Sequence, residues 1–316
     1  MTRIVVLDDY QGVALTHADW DPVHADHEVV VIREHLDTSE GVLHALKDAE
    51  IVVAMRERTV FDAERIAQLP ALRLLVTTGM ANRSIDLDAC RAAGITVCGT
   101  DGRRLATVEL AWGLILAVLR SIPVADHGMR EGRWQETVGF ELDGATLGIV
   151  GLGRLGSAMV LIAKAFGMDV LAWSQHLDPA HAAELGARAV AKADLFAQAD
   201  VVSVHYGMSE RSIGLVGADE IGAMKPTAVL VNTSRGPIVD TPSLLDALHA
   251  GRIAGAGLDV YDQEPLPADH PLRGAPRTVL TPHLGYVTRQ TYDVFYAGAV
   301  EDILAWRAGA PVRVLT

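Results

Sequence analysis

Eleven short runs of aliphatic and β-branched residues punctuate this chain, with helical patterns filling the intervals. The first five are IVVL (4–7), VVVI (29–32), IVVA (51–54), LLVT (74–77) and ITV (95–97). Six more are LGIV (147–150), DVLA (169–172), VVSV (201–204), AVLV (228–231), AGLDV (256–260) and TVL (278–280). Runs that are apolar throughout, rather than alternating, suit parallel strands covered by helices on both faces. Alternation of strand and helix predicts an α/β doubly wound architecture. So many strands exceed one such sheet, and 316 residues can give two domains a core each. Two βαβ domains in series are expected.

Two long apolar helices mark the boundaries. One is expected over 106–121, stopped by Pro123, which lacks the amide to continue it. The other is expected over 289–307, ending before Gly309 and Pro311. The first domain is thus placed at 1–100, the second at 101–285, with residues 286–316 returning to the first. The formal charge of -13 and the lack of any Lys/Arg run argue against a nucleic-acid binder. Cys90 and Cys98 are too few for a disulfide framework, lack metal-ligand spacing, and read as small buried apolar residues. No metal site is expected. The apolar stretch Leu114 to Leu119 is far short of the roughly 20 residues of a membrane span. The start, MTRIVVLDDY, has no signal-peptide design. A cytoplasmic enzyme is expected.

The segment from Leu147 to Gly156 reads as strand, GxGxxG turn and helix. Glycine-rich turns are common, but here an apolar strand precedes and an amphipathic run to Phe166, stopped by Gly167, follows. Gly151 permits the tight turn, Gly153 admits a pyrophosphate to the backbone, and Gly156 lets helix and strand pack closely. The helix start then offers free amides and a positive dipole end. At the end of the next strand, NAD-selective enzymes usually carry Asp or Glu for the ribose hydroxyls. Ser174, followed by Gln175 and His176, stands there instead, while Asp169 lies at the strand's other end. A serine does not repel a 2′-phosphate. The cofactor is expected to be NAD or NADP, leaning to NADP, although no arginine follows to hold that phosphate.

Three further segments follow apolar strands: Asn232 to Gly236, Leu258 to Pro265, and Thr281 to Gly285. Ligands in open α/β sheets bind outside the carboxyl ends of strands, so all three point to one crevice. Reduction of a 2-oxo acid needs a cation for the carboxylate, an acid for the forming alkoxide and a cofactor facing the carbonyl. Arg235 suits the first task through its planar fork. His283 suits the second, since an imidazole ordinarily titrates near 6.5. Glu264 suits a supporting role, because a carboxylate on the other ring nitrogen favours the charged imidazole. Each alone reads equally as a surface arginine, a capping histidine or a loop glutamate. Their joint placement at strand ends carries the argument.

These motifs resemble those of the D-isomer-specific 2-hydroxyacid dehydrogenase family, which includes phosphoglycerate dehydrogenases and glyoxylate/hydroxypyruvate reductases. The resemblance spans nearly the whole chain: Leu74 to Asp86, Val108-Glu109-Leu110, Gly132-Arg133-Trp134, Leu147 to Gly156, Met224-Lys225 and the three segments above. It implies a Rossmann nucleotide-binding domain inserted in a flavodoxin-like substrate domain. It also implies hydride transfer between nicotinamide and C2 of a small 2-hydroxy or 2-oxo acid. By resemblance Arg235, Glu264 and His283 are catalytic, and Arg154 and Leu155 meet the pyrophosphate. Thr107, Ser174, His205, Thr233, Ser234, Asp259 and Gly285 line the cofactor cleft with Arg235 and His283.

Two departures stand out. The family loop GxGxDNID, whose amides meet the substrate carboxylate, is here Gly79-Met80-Ala81-Asn82-Arg83-Ser84-Ile85-Asp86, with Ala81 for glycine. The usual HxPLTxET is His205-Tyr206-Gly207-Met208-Ser209-Glu210-Arg211-Ser212, which is expected to reshape the cofactor-side wall. Arg56 resembles an arginine that meets the substrate phosphate in phosphoglycerate dehydrogenases, or is simply solvated. Glu264 speaks against formate dehydrogenases, which pair their histidine with glutamine. A dinucleotide-sensing corepressor on the same fold is the alternative from another class. The apolar run from Glu109 to Leu119, with Trp112 and nearby Trp134, points to a homodimer.

Overall fold

The computed structural model describes residues 2–103 and 105–316. β1 (Thr2–Val6), β2 (His27–Val31), β3 (Ala49–Ala54), β4 (Leu74–Thr77) and β5 (Thr96–Gly99) form a parallel sheet ordered β2-β1-β3-β4-β5. A second parallel sheet contains β6 (Thr146–Val150), β7 (Asp169–Trp173), β8 (Arg188–Ala189) and β9 (Val201–Val204). It is completed by β10 (Val229–Asn232), β11 (Gly255–Leu258) and β12 (Thr278–Leu280), in the order β12-β11-β10-β9-β6-β7-β8. The first order is the flavodoxin-like 2-1-3-4-5. The second, counted from its own first strand, is the Rossmann 3-2-1-4-5-6 with one strand added. Both expected doubly wound sheets are present. β8 has no counterpart among the eleven apolar runs, because two edge residues, one an exposed arginine, leave no hydrophobic signature.

Internal contacts divide the chain into two compact units, Met1–Arg103 with Val287–Thr316, and Arg104–Tyr286. In the first, Ile4, Val5, Ile51, Val52, Leu74 and Leu75 are fully buried, as strands covered on both faces require. The helix Arg289–Arg307 lies on β4 and β5 with the bounds expected. Thr288 caps its start by accepting the Thr291 N–H. Beyond it the tail rejoins the sheet: the Leu315 N–H donates to the Val97 carbonyl at 2.8 Å and the Gly99 N–H to that of Arg313 at 3.0 Å. The Arg313 guanidinium donates to Asp302, Gly99 and Gly298. Asp302 is buried, which pushes its carboxyl up to about 7.

In the second unit the helix Leu105–Leu119 packs on β10, β11 and the helix Arg154–Ala165. It buries Ala111, Trp112, Leu114 and Ile115, and the Trp112 ring lies 5.1 Å from that of Phe166. Most of its apolar surface is therefore taken up within the unit, which removes the helix as the reason for a partner. The expected end also needs correction. The helix stops at Leu119, Ser121 takes a left-handed conformation (φ 50), and Pro123 sits in the first turn of the next helix, Ile122–Arg130. A missing amide is harmless there. Among the described residues no single helix is long and apolar enough to cross a membrane, and no His, Cys, Asp or Glu cluster is grouped to hold a metal. Cys90 and Cys98 are fully buried, and burial pushes both thiols up to about 11.

Candidate active site

β6 runs into Gly151, whose φ of 101° favours glycine and where a Cβ would stand 2.6 Å from the His205 carbonyl oxygen. A Cβ on Gly156 would stand 2.2 Å from the Gly151 carbonyl oxygen, so the helix is pressed against the turn. Gly153 differs. Nothing lies within 4 Å of its would-be Cβ, and it starts the helix Arg154–Ala165 without a side-chain cap. Open approach and uncapped amides are what a pyrophosphate requires. Arg154 is exposed and Leu155 half-buried at that helix start. Two buried polar atoms, His205 Nδ1 beyond β9 and Thr233 Oγ1 beyond β10, lack a hydrogen-bond partner among the described residues. Such groups call for a ligand or water. These residues fit a dinucleotide. Ser174, just past β7, anchors the turn by accepting the Leu152 N–H at 2.9 Å. Ser234 donates its hydroxyl to the Val204 carbonyl at 2.8 Å.

β10, β11 and β12 are sheet neighbours, so the segments beyond them emerge side by side. Asn232 ends β10, fully buried. Its Oδ1 accepts the Ser234 N–H at 3.0 Å and its Nδ2 donates to the Arg235 carbonyl at 2.9 Å, closing a local turn. Arg235 is half-buried, and its Nη1 donates to the Ser234 carbonyl at 2.7 Å. At Gly236 a Cβ would stand 2.0 Å from the Tyr261 carbonyl carbon, so the arginine turn is pressed onto the segment that carries Glu264. Glu264 Oε1 accepts the Tyr261 N–H at 2.9 Å, while Oε2 lies 2.5 Å from His283 Nδ1. The Tyr261 hydroxyl donates to the Leu258 and Thr281 carbonyls.

His283 has φ 54, and its N–H donates to the Asp259 carbonyl at 2.8 Å. The Asp259 carboxylate is fully buried and accepts from the Thr281 hydroxyl and the Leu284 and Gly285 amides. Burial raises its carboxyl above the usual range. Thr107 holds the turn's far side by donating to the Gly285 carbonyl at 3.0 Å. With Nδ1 on Glu264, Nε2 is the ring nitrogen that such an imidazole can use for proton exchange.

Residues 112–285 match the model of the D-isomer specific 2-hydroxyacid dehydrogenase NAD binding domain, more than half of the chain. The chain belongs to the D-isomer-specific 2-hydroxyacid dehydrogenase family. A glyoxylate reductase of Aeropyrum pernix is 37% identical over 280 residues, covering 85% of this chain and 83% of that protein. A D-3-phosphoglycerate dehydrogenase of Archaeoglobus fulgidus is 36% identical over 287 residues, 90% of this chain. The chain spans only about half that dehydrogenase's length, 54%. The crystal structure of a phosphoglycerate oxidoreductase from Vibrio cholerae o395 superposes with a TM-score of 0.93 at 35% identity, covering 98% of this chain and 100% of that one. Family membership makes this dehydrogenase a nicotinamide-dependent oxidoreductase.

The dehydrogenase's second unit thus brings Arg235, Glu264 and His283 to adjacent strand ends. Asn232, Gly236, Tyr261 and Thr281, which hold the three in place, lie within the segments that follow the strands, but their sequence pattern assigns them no such role. An asparagine closing an apolar strand before Arg-Gly was the available signal. Tyr206, one of the departures, stacks on Trp173, ring centroids 6.0 Å apart. In the first unit, Arg56 has φ 51, and its guanidinium donates to the Thr78 carbonyl at 2.9 Å. That guanidinium fills the space a Cβ on Gly79 would take. Met80 is exposed, and Asn82 ties its loop to Arg56 and Thr77.

Burial pushes His205 down to about 4, and its Nε2 lies 2.8 Å from the Ser203 hydroxyl. The unfolded chain takes up a proton near the ordinary 6.5, whereas the folded chain does so only near 4. This contribution to stability is complete above about pH 6.5 and is lost as pH falls towards 4, on the order of 1–3 kcal/mol. Denaturant unfolding across that window should show the decline, and His205→Gln should flatten it. An unaltered slope in the variant would refute the assignment.

Proposed function

We propose that this enzyme interconverts small 2-oxo acids and D-2-hydroxy acids, with His283 as acid–base, Glu264 as its support and Arg235 as the carboxylate anchor. The observation that carries the reading is the 2.5 Å contact between His283 Nδ1 and Glu264, beside an arginine turn packed on the same segment. When bound, the nicotinamide supplies or accepts the hydride at C2. The protein's part is to hold the acid's carboxylate on the Arg235 fork, orient its carbonyl and move a proton at His283 Nε2. Gly79, Met80 and Ala81 are proposed as carboxylate contacts, and Arg56 as a contact to the acid's distal group. The names of the relatives favour glyoxylate and a phosphorylated three-carbon acid as first substrates to try, and hydroxypyruvate joins them by the family resemblance. Steady-state rates on such a panel, with NADH and NADPH in turn, test the reading. Tight nucleotide binding without turnover of any 2-oxo acid would favour a dinucleotide sensor instead.

The absence of a carboxylate at Ser174 supports use of NADP. A homodimer is proposed on different grounds from the buried helix. Trp134 is 72% exposed, Val138 99% and Met129 55%, all on or just after the helix Ile122–Arg130. So many large apolar side chains in one stretch favour a covering partner. Light scattering at micromolar concentration should give a dimer mass, and Trp134→Glu should shift it towards the monomer, since a carboxylate enclosed there would lack a partner. A monomeric wild type would end the idea.

A further inference from the structure

A cavity of about 590 Å³ opens just beyond β7, lined by Gly153, Ser174, His176, Asp178, His181 and Glu184 among others. In a Rossmann sheet this is where the ribose nearest the adenine falls, and with it any 2′-phosphate. A role for this cavity in the choice between two nucleotides rests on the dinucleotide reading given above.

The cavity carries two imidazoles and two carboxylates, with no lysine or arginine among the described residues that line it. Ser174 has its oxygen engaged by the Leu152 N–H, so it brings no charge and one donor hydrogen. Asp178 accepts the Ala180 N–H at 2.9 Å as the cap of the helix Pro179–Glu184. Glu184 lies 3.9 Å from His181 Nδ1 on that same helix. The cations on neighbouring elements are engaged or pH-invariant. Arg188 on β8 bonds Gln198, Lys164 bonds the Met168 carbonyl, and Lys192 pairs with Glu220. Arg154, exposed after Gly153, keeps its charge at every working pH and serves the pyrophosphate of either nucleotide alike.

We propose that His176 and His181 select NADPH over NADH by taking up protons, so that cofactor preference in this enzyme depends on pH. With both imidazoles neutral, the two carboxylates leave the cavity net negative and a phosphate dianion is repelled. With both protonated, the cavity is neutral and offers charge-assisted donors to the phosphate oxygens. Binding a dianion favours the charged form of a neighbouring imidazole. The extra affinity for NADPH is therefore present at low pH and lost as pH rises. NADH, with hydroxyls at the same place, has no such dependence.

The test is the dissociation constant of each reduced nucleotide, read from nicotinamide fluorescence without any oxo acid, at about pH 6 and about pH 8. The wild type should bind NADPH at least about tenfold more weakly at the higher pH, while NADH changes little. His176→Gln/His181→Gln should lose most of that dependence. The second ionisation of the 2′-phosphate, near pH 6, acts equally on both proteins and cancels in the comparison. Both histidines are exposed, and unchanged NADH binding reports that the variant is folded. An equal NADPH slope in wild type and variant, or an NADH slope as steep as that for NADPH, would overturn the proposal. Failure of the wild type to bind either nucleotide would instead overturn the dinucleotide reading, and this proposal with it.

Discussion

Replacing His283 by alanine is expected to lower kcat by about 10²–10⁴-fold, the usual span for a positioned acid–base group. Nucleotide affinity should stay within a few-fold of wild type. The reason lies in how the turn is held. His283 is fixed through its backbone, whose N–H donates to the Asp259 carbonyl, and the Asp259 carboxylate grips Thr281, Leu284 and Gly285 independently of the imidazole. Removing the ring therefore deletes proton exchange at Nε2 and leaves the surrounding scaffold in place. Pre-steady-state reduction of a 2-oxo acid, paired with a fluorescence titration of the nucleotide, separates the two effects. Retention of more than half the wild-type turnover would show that another group carries the proton.

Gly236→Ala should be the most damaging single methyl in the site. Its Cβ would stand 2.0 Å from the Tyr261 carbonyl carbon and 2.2 Å from the oxygen, both backbone atoms. Tyr261 has little freedom to retreat, because it is buried, its amide is bonded to Glu264 and its hydroxyl to two carbonyls. Overpacking costs typically 1–3 kcal/mol, and a backbone-on-backbone clash belongs at the upper end, about 3 kcal/mol. Relief by moving the Tyr261 segment would carry Glu264 away from His283, so kcat should fall even in the folded fraction. Urea midpoints and kcat measured on the same preparation check both parts. Wild-type values for stability and turnover would show that the close approach is not maintained in solution.

The fold was legible where burial is symmetric. LLVT and VVSV became strands with unchanged bounds because every position in them is buried, as in strands covered on both faces. Pro123 misled for a physical reason: proline ends a helix from within but is welcome in a first turn, and here the break belongs to Ser121. Trp112 and Trp134 show a second limit. Both sit in apolar or aromatic stretches, yet one is buried against Phe166 and the other is exposed. In the site, Arg235, Glu264 and His283 were readable because chemistry restricts the residue types that serve. Their holders were not. Gly236 and Tyr261 meet through backbone atoms 25 residues apart in the chain, a contact that no local pattern records.

The first unit is assembled from both halves of the chain, and this has a consequence for birth on the ribosome. At the usual 5–20 residues per second, the roughly 180 residues between Arg103 and Val287 take on the order of 10–40 s to emerge. Throughout that interval β4 and β5 are waiting for the helix Arg289–Arg307 and for the tail that bonds Val97 and Gly99. The nucleotide-turn unit, by contrast, is contiguous and can close as soon as its last strand appears. The order of maturation should run against the order of translation, with the amino-terminal sheet the last to become protease-resistant. Until then its exposed β5 edge is the part of the nascent protein most in need of a chaperone.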